Sequence, residues 1–190
     1  MTFTLEQIVE LLKDVKSDAR CAKRPLGVVL VFPDNTFITG ENGPPPGSRH
    51  VERCSKLETC VRKDSSQGMN MGDCPAMHAE RAAIYRAAAE GRVTREAFMY
   101  SVGGIPCFDC AVAVVTAGIS KFYGTKPIGH YTPNLETYKF ELALQVLEDA
   151  GVKYIYEPKL AETDMEKNSA PTIHEINLAA NGGKNAQNSS

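Results

Sequence analysis

The sequence predicts an α/β fold in which helices cover both faces of a sheet. The chain opens with a helical pattern and two short apolar segments that flank a turn, and after them helical patterns and short apolar segments alternate to residue 156. Such alternation is typical of α/β proteins. With 190 residues, 43% of them hydrophobic, the chain is long enough for one domain with its own core.

The individual elements follow from periodicity and from turn-forming residues. Apolar residues that recur on one face predict the first helix, and Thr4 with Gln7 forms a candidate capping box at its start. A Val-rich segment predicts the first strand, and a Pro-Asp-Asn turn separates it from the second. The predicted helices cover residues 4–20, 77–91, 107–117 and 135–150. The predicted strands cover residues 26–32, 36–39, 97–102, 121–124 and 152–156.

Composition divides the chain into a domain, an insertion and a tail. The predicted domain covers residues 1–160, with a Gly- and Pro-rich loop over residues 40–47. A polar, Cys-rich insertion at about residues 44–75 has no clean periodicity, and loops of that length are usually functional or held in place by something. Residues 161–190 form a polar tail that we expect to be partly disordered, with residues 172–178 as a short segment able to dock.

Charge and hydropathy exclude several classes of partner. The net charge of −2 provides no general attraction to nucleic acid or anionic membranes, although a small phosphorylated substrate needs only one or two local cations. No apolar run approaches the roughly 20 residues that span a bilayer, and the N-terminus lacks the pattern of a signal peptide. We therefore expect a cytoplasmic protein, in which the six cysteines are thiols or metal ligands rather than disulfides.

Two segments carry the residues of a catalytic metal site. They are His78-Ala79-Glu80 and the segment from Pro106 to Cys110, and each begins a predicted helix. Cys107 and Cys110 are three residues apart, so both sulfurs face one side of the first helical turn. One imidazole and two thiolates, with the fourth position open, are typical of catalytic rather than structural zinc. Either segment alone could belong to a structural zinc knuckle or a redox pair, but their combination predicts Zn²⁺ bound by His78, Cys107 and Cys110.

Glu80 is the predicted catalytic proton carrier. It follows His78 by two residues at the start of a helix, which places its carboxylate beside the metal without making it a ligand. A carboxylate in that position can take a proton from an attacking water and deliver it to the substrate.

The chain resembles the cytidine and deoxycytidylate deaminase superfamily, and within it most closely the zinc-dependent deoxycytidylate (dCMP) deaminases. The His-x-Glu and Pro-Cys-x-x-Cys pattern is a recognised signature of zinc deaminases. The resemblance extends over about residues 17–156. Besides the zinc segments it includes Arg20-Cys21, Arg24, the Gly40-Glu41-Asn42-Gly43-Pro44-Pro45 segment and Ala117-Gly118-Ile119.

This resemblance implies a fold, a reaction and partners. The fold is a three-layer α/β/α sandwich around a mixed five-stranded sheet, so residues 1–160 would be a deaminase domain. The reaction is hydrolytic deamination of dCMP to dUMP with release of ammonia. Members assemble as homo-oligomers, often hexamers, and some are regulated by dCTP and dTTP. The alternatives are a deaminase of another cytosine compound or modified nucleotide, and an inactive nucleotide-binding regulator, against which the intact Glu80 argues; editing of nucleic acid is disfavoured by the charge.

A second zinc is predicted in the insertion, because some of the dCMP deaminases that this chain resembles carry a structural zinc in this region. The candidate ligands are Cys54, Cys60 and Cys74 with either Cys21 or His50. The alternative is a set of reduced cysteines, with Cys21 as a small core residue.

The resemblance also implies substrate-binding residues. Asn42 stands where the family contacts the sugar or phosphate, although an Asn-Gly pair is also a turn signal, and Glu41 replaces the usual aromatic residue. Arg20 and Arg24 stand where members bind phosphate, with Arg24 preferred; the alternative is a solvated helix end. We also place Ala79, between the ligand and the acid, among the substrate-binding residues.

Three further positions separate this chain from the family or complete its pocket. Arg81 could neutralise the thiolates as in free cytidine deaminases, or it could be an exposed helix residue. Gly103-Gly104-Ile105 replaces residues that are often Thr and Ser, so the base pocket could be reshaped. Tyr131 is the predicted aromatic residue that covers the base, whereas His130 reads better as an ordinary loop residue.

Overall fold

A mixed five-stranded sheet forms the centre of the domain. The computed structural model describes residues 3–65, 70–129 and 138–164. The strands stand in the order β2-β1-β3-β4-β5. Strand β1 is antiparallel to both of its neighbours, and β3, β4 and β5 are parallel. The strands are β1 (Gly27–Val31), β2 (Phe37–Glu41), β3 (Phe98–Ser101), β4 (Lys121–Gly124) and β5 (Lys153–Tyr156).

Helices cover the two faces of the sheet, which confirms the predicted three-layer α/β arrangement. Helix α1 buries residues such as Ile8 and Leu12 against one face, together with Val29 of β1. The other face carries α3, α4 and α5, whose small and branched residues share one core with Val28 and Phe122. The helices are α1 (Leu5–Ser17), α2 (His50–Cys54), α3 (Ala79–Ala89), α4 (Phe108–Thr116) and α5 (Phe140–Asp149).

Two boundaries differ from the sequence prediction for physical reasons. Strand β2 continues through Gly40 and Glu41, which were predicted to begin a loop, because both residues pair in register with β1. Helix α1 begins after Thr4, whose predicted capping box with Gln7 is formed, but it ends at Ser17. The predicted start of the last helix, residues 135–137, lies outside the described residues.

The predicted irregular insertion contains two short helical segments. These are α2 and a 3₁₀ turn at Met71–Asp73. Lys23 holds part of the insertion by donating to the carbonyl oxygens of Arg62, Lys63 and Ser65. The ordering of this stretch therefore depends on polar contacts with the loop that follows α1.

Packed chain extends beyond the predicted domain end at residue 160. Pro158–Asp164 forms a 3₁₀ helix that lies against α1, and Leu160 is fully buried there. The remaining residues of the predicted tail lie outside the described part. None of the described helices is long and apolar enough to cross a membrane.

Candidate metal centre and active site

The two predicted metal-binding segments meet at the starts of neighbouring helices. His78 is the N-cap of α3 and Cys107 is the N-cap of α4, both with extended backbone. Neither side chain caps its own helix, so both are available for contacts between the helices. The interpretation that each segment opens a helix is confirmed.

The three predicted ligands converge at distances that fit a metal ion. The Nδ1 atom of His78 lies 3.3 Å from Sγ of Cys107 and 3.4 Å from Sγ of Cys110. A tetrahedral zinc with ordinary bond lengths would separate such N and S atoms by roughly 3.6 Å. The ligand atoms of His78, Cys107 and Cys110 all lie within 4.8 Å of one another. Among the described residues, no other group of three or more His, Cys, Asp or Glu side chains is this compact. The donor set therefore fits zinc, which His78 would bind through Nδ1.

Glu80 lies beside the three ligands and away from solvent. Its carboxyl is 8% exposed, and Oε2 lies 3.7 Å from Sγ of Cys110. Burial raises the pKa of Glu80, and the neighbouring His78 opposes that rise. A buried carboxyl with a raised pKa next to a metal site is suited to exchanging protons with a bound substrate.

The pKa values of the two cysteines are shifted in opposite directions. A side-chain hydrogen bond with Cys110 lowers the pKa of Cys107 to about 4, an effect that burial opposes. The same hydrogen bond, together with burial, raises the pKa of Cys110. The Cys107 sulfur also raises the pKa of His78. A metal ion held by both sulfurs would require both cysteines as thiolates, so its binding would be coupled to the loss of their protons.

Arg81 contributes positive charge next to this group. Its Nε atom is buried and has no hydrogen-bond partner among the residues that the structure describes. Among the smaller influences on the ligands, its guanidinium lowers the pKa values of Cys110 and His78. The side chain is therefore close enough to act electrostatically on the sulfur atoms.

The sequence of the domain matches a known family. Residues 3–125 match the model of the cytidine and deoxycytidylate deaminase zinc-binding region. The chain belongs to this deaminase family. The match covers His78, Glu80, Cys107 and Cys110, so the converging residues are those of the family's zinc-binding region. No curated protein sequence matches the chain.

Solved structures of similar fold include two nucleotide-metabolising deaminases. The dCMP deaminase of cyanophage S-TIM5, crystallised with dCMP and dUMP, aligns with a TM-score of 0.56 and 18% identity, over 80% of this chain and 95% of that one. A Thermotoga maritima diaminohydroxyphosphoribosylaminopyrimidine deaminase/5-amino-6-(5-phosphoribosylamino)uracil reductase aligns with a TM-score of 0.53 and 15% identity, over 93% of this chain and 41% of that one. At these identities the likeness establishes the deaminase fold.

Two stacked aromatic residues, Tyr138 and Phe140, form an aromatic wall beside the candidate metal centre. The sequence did not lead us to predict this feature. The Tyr138 ring lies 6.4 Å from the His78 ring, and it stacks on Phe140 at 5.3 Å. Lys139, between the two aromatic residues, has a left-handed backbone with φ 47°, which is uncommon for a residue other than glycine. The Nζ atom of Lys139 lies 5.9 Å from the centre of the Phe108 ring. The aromatic pair at the start of a helical pattern was the available signal.

Tyr131, which was predicted to cover the base, lies outside the described residues, as does His130.

Asn42 holds the loop before β1 with its side chain. It is 7% exposed; its Oδ1 accepts from the backbone N of Leu26 and its Nδ2 donates to the carbonyl oxygen of Arg24, both at 2.8 Å. Its backbone carbonyl accepts from the backbone N of Arg20. Asn42 therefore has a structural role in this loop. Its contacts also fix the backbone of Arg24 and Arg20, the two arginines that were predicted to contact phosphate.

The other predicted substrate contacts differ in their accessibility. The Arg20 and Arg24 side chains are exposed, and Arg20 packs over Gly43. Ala79 is 1% exposed and its methyl group lies in the core, so any contact with substrate would involve its backbone.

The unusual glycines before Pro106 pack the loop against the end of β4. The carbonyl oxygen of Gly103 accepts from both the backbone N and Oγ1 of Thr125. A Cβ atom on Gly104 would lie 2.6 Å from Cγ of Lys126. The glycines therefore allow the loop that leads to Cys107 to lie close beside the neighbouring strand end.

The cysteines of the insertion gather without reaching ligand distance. Burial raises the pKa of Cys54, with further contributions from Cys74, Cys60 and Cys21 in that order, so all three lie near it. The backbone N of Ala22 donates to the carbonyl oxygen of Cys54 and ties the first loop to α2. No three ligand atoms of this described set lie within 4.8 Å of one another.

Proposed function

We propose that this protein is a zinc-dependent hydrolase that deaminates a cytosine nucleotide, with dCMP as substrate and dUMP and ammonia as products. The observation that carries the proposal is the buried Glu80 beside a three-ligand centre. Family membership supports deaminase chemistry, and the dCMP deaminase of similar fold supports a nucleotide substrate. Another cytosine compound or a modified nucleotide is the second candidate, because Glu41 and Gly103-Gly104-Ile105 depart from the family pattern.

The residues of the chain divide the reaction between them. His78, Cys107 and Cys110 would hold zinc, which supplies Lewis-acid activation of water when it is bound. Glu80 takes a proton from the water while the water oxygen forms a bond to C4 of the base. Glu80 then passes this proton to N3 of the base. Glu80 then takes the remaining proton from the new hydroxyl group on C4 and gives it to the exocyclic nitrogen. The C4=O bond forms as the C4–N bond breaks, and ammonia leaves with the electron pair of the C4–N bond. In the same proposal, Arg81 offsets the negative charge of the two thiolates.

The nucleotide would lie between the Asn42 loop and the aromatic wall. Asn42 holds Arg24 and Arg20 at one side, where their exposed guanidinium groups are available to a phosphate. Tyr138 stands at the other side beside His78, where a planar base could stack. This arrangement favours a nucleotide over the free base.

A substrate panel tests the proposal. Zinc-loaded protein is incubated with dCMP, CMP, deoxycytidine, cytidine, cytosine and the 5-methyl forms, and ammonia release is measured, with and without dCTP or dTTP as candidate effectors. We expect the highest kcat/KM for dCMP, and Arg24→Ala should reduce the preference for dCMP over deoxycytidine. Release of ammonia from none of these compounds would contradict the proposed function, and an unchanged preference in Arg24→Ala would exclude that residue as the phosphate contact.

We also propose that the insertion binds a structural zinc through Cys21, Cys54, Cys60 and Cys74. Cys21 is proposed as the fourth ligand because it contributes to the raised pKa of Cys54, and His50 is the alternative. The backbone N of Arg62 donates to Sγ of Cys60 at 3.4 Å, a contact that suits a thiolate. A zinc ion bound there would bring the four sulfurs within ligand distance of one centre. Freshly purified protein should contain two zinc ions per chain and Cys54→Ser one, whereas one zinc in the unmodified protein would contradict the second site.

A further inference from the structure

Arg86 fastens α3 to the edge strand of the sheet. Its Nη2 atom donates to both carboxylate oxygens of Glu41, at 2.8 and 2.9 Å. Its Nη1 atom donates to the carbonyl oxygen and to Oγ1 of Thr39, at 2.8 and 3.1 Å. One guanidinium therefore binds two residues of β2 with four hydrogen bonds, a geometry that lysine could not reproduce.

The apolar packing between α3 and β2 offers little resistance to a sliding movement of the helix parallel to the strand. The core face of α3 is formed by Ala79, Ala83 and Ala87, all of them buried. Gly40 lies beneath them, and a Cβ atom on Gly40 would stand 2.4 Å from the carbonyl oxygen of Ala79. Because the side chains at this interface are small, α3 and β2 can approach closely. The interface contains few interlocking side chains that would prevent the helix from sliding along the strand.

Directional contacts hold the helix at two points instead. Immediately before α3, Met77 and Gly43 exchange two backbone hydrogen bonds, at 2.8 and 3.2 Å. The Arg86–Glu41 contact is the second point, about 9 Å further along the helix from Glu80 at 1.5 Å per residue. His78 and Glu80 lie between these points in sequence.

We propose that Arg86 and Glu41 are positioning residues that set the register of α3 on β2 and thereby the placement of His78 and Glu80. This inference rests on the proposed deaminase function. Glu41 stands at the end of β2, directly before Asn42, so the same contact connects the proton carrier with the loop that holds Arg24. Because a displacement of about 1 Å can cost up to 100-fold in rate, a shift of α3 would reduce turnover without unfolding the domain.

The chain contains a matched control just past the C-terminal end of the same helix, further from the metal centre in sequence than Arg86. Arg92, just beyond α3, donates through Nη2 to both carboxylate oxygens of Asp34 and to Oγ1 of Thr36 in the β1–β2 turn. Its guanidinium also lies 4.2 Å from the centre of the Phe32 ring. This pair fastens the same helix region to the same hairpin, far from the metal centre in sequence. Its loss should therefore reduce stability without affecting turnover.

The test compares Arg86→Ala, Glu41→Ala and the charge swap E41R/R86E with Arg92→Ala. The melting temperature, kcat, KM for dCMP and the rate of zinc release to a chelator are measured at a temperature at which all variants are folded. We expect Arg86→Ala and Glu41→Ala each to lower kcat about tenfold with a smaller change in KM, and to release zinc faster. The swap should recover part of the lost kcat, and Arg92→Ala should keep kcat and zinc retention within about twofold of the unmodified protein.

The inference is overturned if Arg86→Ala retains kcat and zinc retention, or if Arg92→Ala loses both to the same extent at an equal drop in melting temperature. Failure of the proposed function is a separate result, because the unmodified protein would then deaminate no compound of the panel. In that case the comparison of zinc release between Arg86→Ala and Arg92→Ala still decides whether Arg86 positions His78.

Discussion

The Nδ1 atom of His78 lies 3.3 Å from Sγ of Cys107, although 29 positions separate the two residues in the sequence. Because the proposed zinc site has three protein ligands, loss of one would leave too few for tight binding of zinc. We therefore expect His78→Ala, Cys107→Ala and Cys110→Ala each to lose the catalytic zinc and all measurable deamination. Elemental analysis of the purified variants measures the loss. Asp109→Ala, at an exposed position between the two cysteines, is the control and should retain zinc; retention by His78→Ala would contradict the assignment.

Glu80→Gln separates metal binding from proton transfer. The amide has nearly the same shape but cannot accept and return a proton, and general acid–base groups contribute about 10²- to 10⁴-fold in rate. We expect zinc content to be unchanged and kcat to fall within that range. Glu90→Gln, at the exposed end of α3, should behave as the unmodified protein. Full activity in Glu80→Gln would remove Glu80 from the mechanism.

Gly40→Ala tests the close approach of α3 to β2. The new Cβ atom would stand 2.5 Å from the backbone N of Ala83, so the helix would have to move. Overpacking of this kind costs about 1–3 kcal/mol, and we expect chemical denaturation to show a loss of that size. Gly72→Ala is the control, because a Cβ atom there meets nothing within 4 Å; equal stability of the two variants would argue against the close contact.

Asn42→Ala removes two hydrogen bonds that connect the end of β2 with the loop before β1. The backbone groups of Arg24 and Leu26 would lose their side-chain partner, and such a loss costs about 1–3 kcal/mol. The free energy of unfolding from denaturant titration measures the effect. Arg24→Ala leaves both backbone contacts in place and should unfold like the parent protein. If Asn42→Ala is equally stable, the side chain has no structural role.

Tyr138 is predicted to contact the base through its ring rather than its hydroxyl. Tyr138→Phe should therefore retain kcat/KM within about threefold, whereas Tyr138→Ala should raise KM by roughly 2- to 13-fold, the equivalent of about 0.5–1.5 kcal/mol for an aromatic pair. Steady-state kinetics and zinc content together distinguish substrate binding from damage to His78. Tyr85→Ala, on the exposed surface of α3, serves as the matched control. An unchanged KM in Tyr138→Ala would exclude the stacking role.

Much of the site could be predicted because its chemistry is local in sequence. His78 with Glu80, and Cys107 with Cys110, are each close neighbours at a helix start, so residue type and spacing were sufficient to identify them. The positions of the helices and strands followed from periodicity in the same way. Convergence of the two segments could be inferred because alternating helices and strands place successive helix starts at one edge of a sheet.

The remaining contacts depend on the tertiary structure. The ring of Tyr138 lies 6.4 Å from the ring of His78, although the two residues are 60 positions apart in the sequence. The pairing of Arg86 with Glu41 joins residues 45 positions apart, and no local pattern encodes such a partner. The sequence by itself thus determined the α/β class and predicted the metal ligands and the proton carrier, since these predictions depend on neighbouring residues. Only the folded chain decided how α3 is fixed to β2 and what surrounds the ligands, because those contacts form between side chains that are brought together by packing.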